Sequence, residues 1–259
     1  MQPILSIVLP TFESTHGLDI LVDQIRSSKI DNRKLEIIVS DDSNSNLIKN
    51  FCLHVDFIKY IKHTNTGNPV DNWNFGIQNA KGMYIQLLHH DEWYQDKSQI
   101  TELIILLEKE LPGIVLLKCV TIKYYRSAFI PNWCKKILLS KVKEILHFKN
   151  FIGSPSTVVF KNDKNFFNNK YVYLVDVQFY LLIFNKYSSL KCLVTNIKID
   201  SDLNLFLNGS ITSSLLDNLK KINNKECKLL IKEFKLSKKF ILKNRIILYL
   251  SRALGYVSS

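Results

Sequence analysis

No stretch of this chain approaches the ~20 consecutive apolar residues that a membrane-spanning helix needs. The apolar run Ile4–Leu9 near its start is short and ends at Pro10, and Met1-Gln2-Pro3 before it carries no positive charge. The expectation is that the sequence does not open on a secretory signal. Cysteine is sparse and unpatterned, with five residues (Cys52, Cys119, Cys134, Cys192, Cys227), an odd number without a C-x-x-C pair. That excludes a disulfide framework or a cysteine zinc site and points to free thiols in a reducing compartment. No G-x-G-x-x-G follows the first apolar run, and no G-x-x-x-x-G-K-[ST] occurs, which argues against a dinucleotide fold and a P-loop NTPase. Internal repeats and low-complexity linkers are also missing. The expectation is a cytosolic protein.

What is present fits one α/β domain, or a domain with a tail. The 259 residues are 46% hydrophobic and 22% charged, which leaves ample apolar side chain for a core. The net charge of +12 is unevenly spread: residues 217–259 hold 11 Lys/Arg against 3 Asp/Glu, or +8. The basic excess belongs to the C-terminus and implies an anionic partner for that end.

The centre of the chain is the stretch Gly67–Tyr94. Asn68 is placed to cap a helix, Pro69 stands at its first position, and Asp71 lies three residues past the cap. Val70, Trp73, Ile77 and Ala80 share one helical face, and Lys81-Gly82 stops the run. Met83–Leu88 reads as a short buried strand that ends in His89-His90-Asp91-Glu92. Two adjacent carboxylates at a strand's carboxyl end repel each other unless a cation sits between them and a substrate. A hard divalent ion carrying a diphosphate fits there, and the plain alternative is a solvated acidic turn.

Support for the first reading comes from earlier in the chain. Ile4–Leu9 is a first strand, breaking at Pro10-Thr11-Phe12-Glu13; Leu35–Val39 is a second, ending in Ser40-Asp41-Asp42-Ser43. Leu18, Leu21, Val22 and Ile25 mark a helix between them, Leu47–Phe51 a short helix, and Phe57–Ile61 a third strand. Alternating strands and helices predict a parallel sheet with right-handed crossovers. Its carboxyl rim would gather Thr11, Glu13, Asp41, Asp42, Asp91 and Glu92 around one crevice, where open α/β sheets hold ligands. Farther on, Ile100–Leu111 predicts a helix stopped by Pro112-Gly113, Ile114–Tyr125 one or two strands, and Val158–Phe160 another. Val177–Phe184 predicts an apolar helix with Asp176 placed as its N-cap, and Leu190–Ile199 a last strand.

These pieces, in this order, resemble the inverting glycosyltransferases of family 2, especially bacterial enzymes of O-antigen, capsule and lipooligosaccharide assembly. The matching segments are S-I-V-L-P-T-F-E, E-I-I-V-S-D-D-S, N-W-N-x-G…A-x-G-x-Y-I-x-x-L-x-x-D-E-W, N-F-I-G-S-P-S-T-V-V-F and Y-L-V-D-V-Q-F-Y, spanning roughly residues 4–200. The resemblance implies a GT-A (Rossmann-like) mixed sheet flanked by helices. It also implies a catalytic domain over residues 1–205 (donor half 1–95, acceptor half 96–205) and a basic helical extension over 206–259. By the same resemblance, Pro10, Thr11, Phe12, Glu13 and Asn68 line the donor, Asp41 hydrogen-bonds uracil, and Asp42 shapes that wall. Asp91 serves donor and metal, and Glu92 joins it in holding Mn²⁺ or Mg²⁺. Gly153, Ser154, Pro155, Ser156 and Trp93 face the acceptor, and Asp176 is the general base, with the N-cap reading left open beside it. Two departures stand out: the family usually has Asp where Glu92 stands, and a polar or acidic residue at His90. His89 and His90 are expected only to pack.

The implied partners are a UDP-sugar and a saccharide hydroxyl, the acceptor in this family often being lipid-linked, for example on undecaprenyl. The tail, with Leu229-Leu230-Ile231, Phe240-Ile241-Leu242 and Ile246-Ile247-Leu248 set among lysines, reads equally as a peripheral anchor on an anionic membrane or as helices packed on the domain. Two other classes compete. An inactive sugar- or nucleotide-binding homologue would keep the fold. A nucleic-acid binder would need its charge along a groove, whereas here the charge sits in the tail and the rim is acidic.

Overall fold

The computed structural model describes residues 2–28, 30–64, 66–120, 130–147, 149–202 and 218–236. Its first half alternates as expected: β1 (Leu5–Thr11), α1 (His16–Ser27), β2 (Leu35–Asp41), α2 (Leu47–Cys52), β3 (Ile58–Lys62), α3 (Pro69–Asn79) and β4 (Tyr84–Leu87). Then follow β5 (Glu92–Tyr94), α4 (Ser98–Glu110), β6 (Ile114–Cys119), α5 (Asn132–Leu139), α6 (Val142–Leu146), a 3₁₀ turn (Pro155–Thr157) and β7 (Val158–Lys161). The described chain ends with α7 (Val175–Lys186), β8 (Cys192–Ser201) and α8 (Leu219–Glu233). Of the one or two strands expected over Ile114–Tyr125, β6 is described, whereas residues 121–125 and the apolar clusters at 240–242 and 246–248 lie outside the described residues.

The eight strands form one mixed sheet in the order β3-β2-β1-β4-β7-β6-β8-β5. β3, β2, β1 and β4 run parallel, β7 is antiparallel to both β4 and β6, and β5 is antiparallel to β8. From β1 the chain winds outward through β2 and β3, then crosses back to place β4 on the other side of β1. That reversal puts the topological switch point at the carboxyl ends of β1 and β4, the usual ligand position in such sheets.

Side-chain alternation along β1 sends Leu5, Ile7 and Leu9 into one core with α1, α2 and α4, and Val8 into another with α3, α5, α6 and α7. The helix starts and stops follow local chemistry. Asn68 accepts from the Val70 N–H at 3.0 Å with Pro69 in the first turn, as its sequence predicts. At the other end of α3, the Lys164 ammonium reaches the carbonyls of Ala80 (2.6 Å) and Gln78 (3.1 Å), which the helix leaves open. The N-W-N motif also has a structural job. Asn72 grips Ser40 through both its oxygen (2.6 Å) and its nitrogen (3.0 Å), and Asn74 exchanges two bonds with the Phe167 backbone. α3 is thereby pinned beside the end of β2.

α8 is the helix described in the basic C-terminal stretch, and it packs against the domain. Leu230 is fully buried in the α3–α7 core, and Glu226 is buried at the start of α7. No described helix is long and apolar enough to cross a membrane.

Candidate active site

Three rim segments meet at the switch point. The β1 loop reaches the β2 loop through Glu13, whose carboxylate accepts from the N–H groups of Asn44 (2.6 Å) and Ser45 (3.1 Å) and from the Ser45 hydroxyl. Glu13 has φ 51°, and its own N–H donates to Ser43 Oγ at 2.8 Å. The Ser45 hydroxyl bond, together with those backbone bonds, holds its carboxyl below the usual range. Beside it Phe12 is 49% exposed on the rim, whereas Pro10 and Thr11 are buried as the end of β1.

Asp41 has no exposed surface. One of its oxygens accepts from the Ser43 N–H (2.9 Å), the other from Tyr60 Oη (2.8 Å) and Lys62 Nζ (3.2 Å). Burial pushes this carboxyl up, but those bonds outweigh it and leave it lowered. Lys62 also donates to the Ser43 carbonyl, and its side chain is half exposed, so it covers Asp41 from the solvent side. Asp42 is paired with His63 Nδ1 at 2.9 Å. Direct contact between Asp41 and a base therefore requires Lys62 to give way.

The His89–Glu92 turn is held from three directions. Gly17 at the start of α1 donates to the His90 carbonyl at 3.0 Å, and a Cβ on Gly17 would lie 2.2 Å from that oxygen. Only glycine lets α1 come this close. The Asp202 N–H donates to the Asp91 carbonyl (2.8 Å), and the His89 N–H donates to Ser156 Oγ (2.9 Å). Glu92 is buried, accepting from Ser154 Oγ at 2.6 Å and from the Ser156 hydroxyl. Burial and the Asp91 charge push its carboxyl up to about 8, against the pull of the two serines.

His89, Asp91 and Glu92 bring three ligand atoms within 4.8 Å of one another. His89 Nε2 is buried with no hydrogen-bond partner, its ring packed on the edge of Trp73 at 4.8 Å. Burial drives the imidazole down to about 4, so it stays neutral and keeps a lone pair. An unpartnered imidazole nitrogen close to two carboxyl groups is a donor set suited to a divalent metal, whose charge would favour the ionised form of both. From its sequence His89 is expected only to pack, because the residue types do not distinguish the two roles until the turn is folded.

Asp176 is the second residue of α7, not its N-cap, which is Leu174. That placement corrects the N-cap alternative. Its Oδ1 accepts from the Val177 N–H (2.7 Å) and its Oδ2 from Asn150 Nδ2 (2.7 Å). Burial raises its carboxyl to about 6 even against those two bonds. Asn150 also donates to the Gly153 carbonyl (2.8 Å) and accepts from the N–H groups of Ile152 (2.9 Å) and Gly153 (3.1 Å). Gly153 has φ 125°, a backbone conformation that favours glycine, and it lets the loop turn back to set Ser154 and Ser156 on Glu92. Pro155 opens the 3₁₀ turn between the two serines.

Not every candidate converges. Trp93 lies on the opposite face of β5 from Glu92, with its ring edge on His16 at 5.5 Å. Asn68 spends its side chain capping α3.

Residues 6–172 match the profile of the family described as glycosyl transferase family 2. The chain belongs to that family. Among solved structures, this glycosyltransferase is similar to Staphylococcus aureus TarS 1–349, at TM-score 0.63 and 16% identity over 98% of this chain and 72% of that one. It is similar also to the mannosyltransferase PcManGT from Pyrobaculum calidifontis in complex with GDP-Man and Mn²⁺, at TM-score 0.64 and 14% identity, covering 100% and 75%. A third is glucosyl-3-phosphoglycerate synthase from Mycobacterium tuberculosis in complex with Mn²⁺, UDP and glucosyl-3-phosphoglycerate (TM-score 0.57, 11% identity, 91% and 81%). Identities this low establish the shared fold, a mixed GT-A-type sheet flanked by helices. A search of curated protein sequences finds no match.

Proposed function

We propose that this family 2 glycosyltransferase moves a sugar from a UDP donor to a saccharide hydroxyl with inversion at the anomeric carbon. The observation that supports it most is the path from Asp176 to Glu92: Asn150 hydrogen-bonds both Asp176 and the Gly153 carbonyl, and Ser154, the next residue in the chain, hydrogen-bonds Glu92, which ties a carboxylate suited to proton transfer to the acidic turn at the switch point. Solved relatives of the same fold are complexed with UDP-GlcNAc or with GDP-Man and Mn²⁺.

In this reading Phe12 and the Glu13-bridged loops flank the uridine, with Asp41 and Asp42 shaping the wall behind it. Asp91, Glu92 and His89 would hold Mn²⁺ or Mg²⁺, the imidazole favouring Mn²⁺. A cation bound there neutralises charge on the departing diphosphate. The acceptor oxygen forms a bond to the anomeric carbon as the bond from that carbon to the diphosphate oxygen breaks. Asp176 takes the hydroxyl proton, and UDP leaves with the bonding pair. A carboxyl raised to about 6 is ionised at neutral pH yet basic enough to accept a proton as the new bond forms. The loop of Gly153, Ser154, Pro155 and Ser156 lies between base and turn, on the acceptor side.

Residues 1–205 are proposed as the catalytic unit, with residues 1–95 serving the donor and 96–205 the acceptor. A lipid-linked acceptor of surface-polysaccharide assembly, such as an undecaprenyl-carried sugar, at the cytoplasmic face of an anionic membrane, accords with the basic C-terminal residues. The test is a panel of UDP- and GDP-sugars screened with Mn²⁺ by melting shift, followed by NMR of the product formed on candidate saccharides. A β-linked product from an α-donor is expected. Retention of configuration, or preference for GDP, overturns the respective part of the proposal.

A further inference from the structure

We propose that Glu226, on the C-terminal helix α8, positions the chain segment that carries Asp176. This makes α8 a working part of the acceptor side. The inference rests on Asp176 being the base.

Glu226 is only 4% exposed. Its Oε1 accepts from the Val172 N–H (2.8 Å), and its Oε2 from those of Tyr173 (3.1 Å) and Leu174 (2.7 Å). Three successive backbone donors thus converge on one carboxylate, immediately before the helix whose second residue is Asp176. Helix starts are ordinarily capped by a Ser, Thr, Asp or Asn at the N-cap. Here the N-cap is Leu174, which has no side-chain acceptor, and the task falls to a residue of another helix. Glu233, two turns along α8, brackets the same segment from both ends, accepting from Tyr171 Oη (2.6 Å) and from Gln178 Nε2 (2.8 Å). Between the two glutamates Leu230 is fully buried.

A second effect accompanies the geometric one. The groups facing Asp176 are Asn150 from the loop, Tyr173 and the Val177 N–H from its own segment, and Glu226 from α8. Burial is the main cause of its raised carboxyl, the two hydrogen bonds oppose it, and the Glu226 charge adds to the rise. Removing that charge lowers the Asp176 pKa, so the acid limb of the rate profile moves to lower pH.

The experiment is Glu226→Gln in the full chain. Gln keeps the shape but replaces one acceptor oxygen by an amide donor facing N–H groups. Expected are a kcat about tenfold to a hundredfold lower, as for a displaced catalytic group, an unchanged UDP dissociation constant, and an acid limb shifted downward. Wild-type kcat with an unmoved limb overturns the proposal. Should the Gln variant fail to bind UDP, Glu226→Asp decides. It keeps the charge on a shorter arm, so reduced kcat with the limb in place supports positioning, and wild-type kcat overturns it. Near-normal turnover in Asp176→Asn would instead refute the base assignment.

Discussion

Asn150 Nδ2 lies 2.7 Å from Asp176 Oδ2, in a contact between residues far apart in the chain. The same amide closes its own loop by bonding the Gly153 carbonyl and the N–H groups of Ile152 and Gly153. The orientation of the proposed base and the shape of the loop that reaches Glu92 are therefore one conformation.

Asp176→Asn is expected to lose ~10²–10⁴ in transfer rate while the UDP dissociation constant stays at its wild-type value. A folded-state carboxyl raised to about 6 contributes stability that is complete below its ordinary pKa and is lost as pH rises through about 6. Above pH 7 the ionised wild-type carboxyl is a burden that Asn lacks. Against that gain, the Asn amide nitrogen faces a donor, Asn150 Nδ2 or the Val177 N–H, so the two effects oppose and melting should stay close to wild type, which calorimetry at pH 8 checks. Wild-type transfer would be decisive against the base.

Metal removal is the second prediction. Excess EDTA should abolish transfer, and Mn²⁺ should restore it. Glu92→Ala should prevent the rescue, because it removes a ligand and also strands two serine hydroxyls. His89→Ala should weaken Mn²⁺ binding by at least the ~10-fold typical of lesser, outer partners. Titrating Mn²⁺ by calorimetry in the presence of UDP reads both, and full activity in EDTA rejects the site.

For the uridine wall, Asp41→Ala should weaken UDP binding and should also destabilise the fold. Its carboxylate is buried under Tyr60, Lys62 and the Ser43 N–H, and stranding such donors costs ~1–3 kcal/mol. Tyr60→Phe removes one of those bonds and should cost less. An Asp41→Ala protein with the wild-type UDP dissociation constant would take Asp41 out of the wall.

Two truncations separate the roles of the C-terminus. Ending the chain after residue 236 keeps α8 and should leave melting near wild type while releasing protein from anionic vesicles at low salt. Ending it after about residue 215 should lower stability further, since burying Leu230 alone is worth ~1.5–3 kcal/mol. Vesicle sedimentation across a salt series checks the first, because surface charge is screened by added salt. Full-length protein that ignores anionic vesicles would leave packing as the extension's function.

The strands and helices of the first ninety residues were legible because each rests on a local pattern, as in β1, α1 and the Asn68-Pro69 start of α3. Strong apolar periodicity also revealed α4 and α7. The three-residue strand β5 was not visible, since Glu92-Trp93-Tyr94 has no pattern of its own and exists only through pairing with β8. α5 and α6 were not anticipated: Lys135 lies in the buried face of α5, and α6 is too short to show a period of its own. In the site, the carboxylates at strand ends stood out by position. Their partners Tyr60, Lys62, Asn150 and Glu226 did not, because a hydrogen bond between distant segments leaves no mark in either one. Trp93 was placed on the acceptor side by the family resemblance alone, and strand alternation in β5 turns it away from Glu92 and onto His16.

The pairing of β5 with Ile199, Asp200 and Ser201, and the bond from Asp202 to the Asp91 carbonyl, carry a consequence for any shortened version of this enzyme. The family profile ends at residue 172, before β8 begins at Cys192. A fragment cut where recognisable similarity stops would retain Glu13, Asp41, Asp42, Asp91 and Glu92 and still lack the strand that pairs with Glu92. The smallest piece able to fold its own acidic turn must run past residue 202. During synthesis that turn can be completed only after residues 199–202 have left the ribosome.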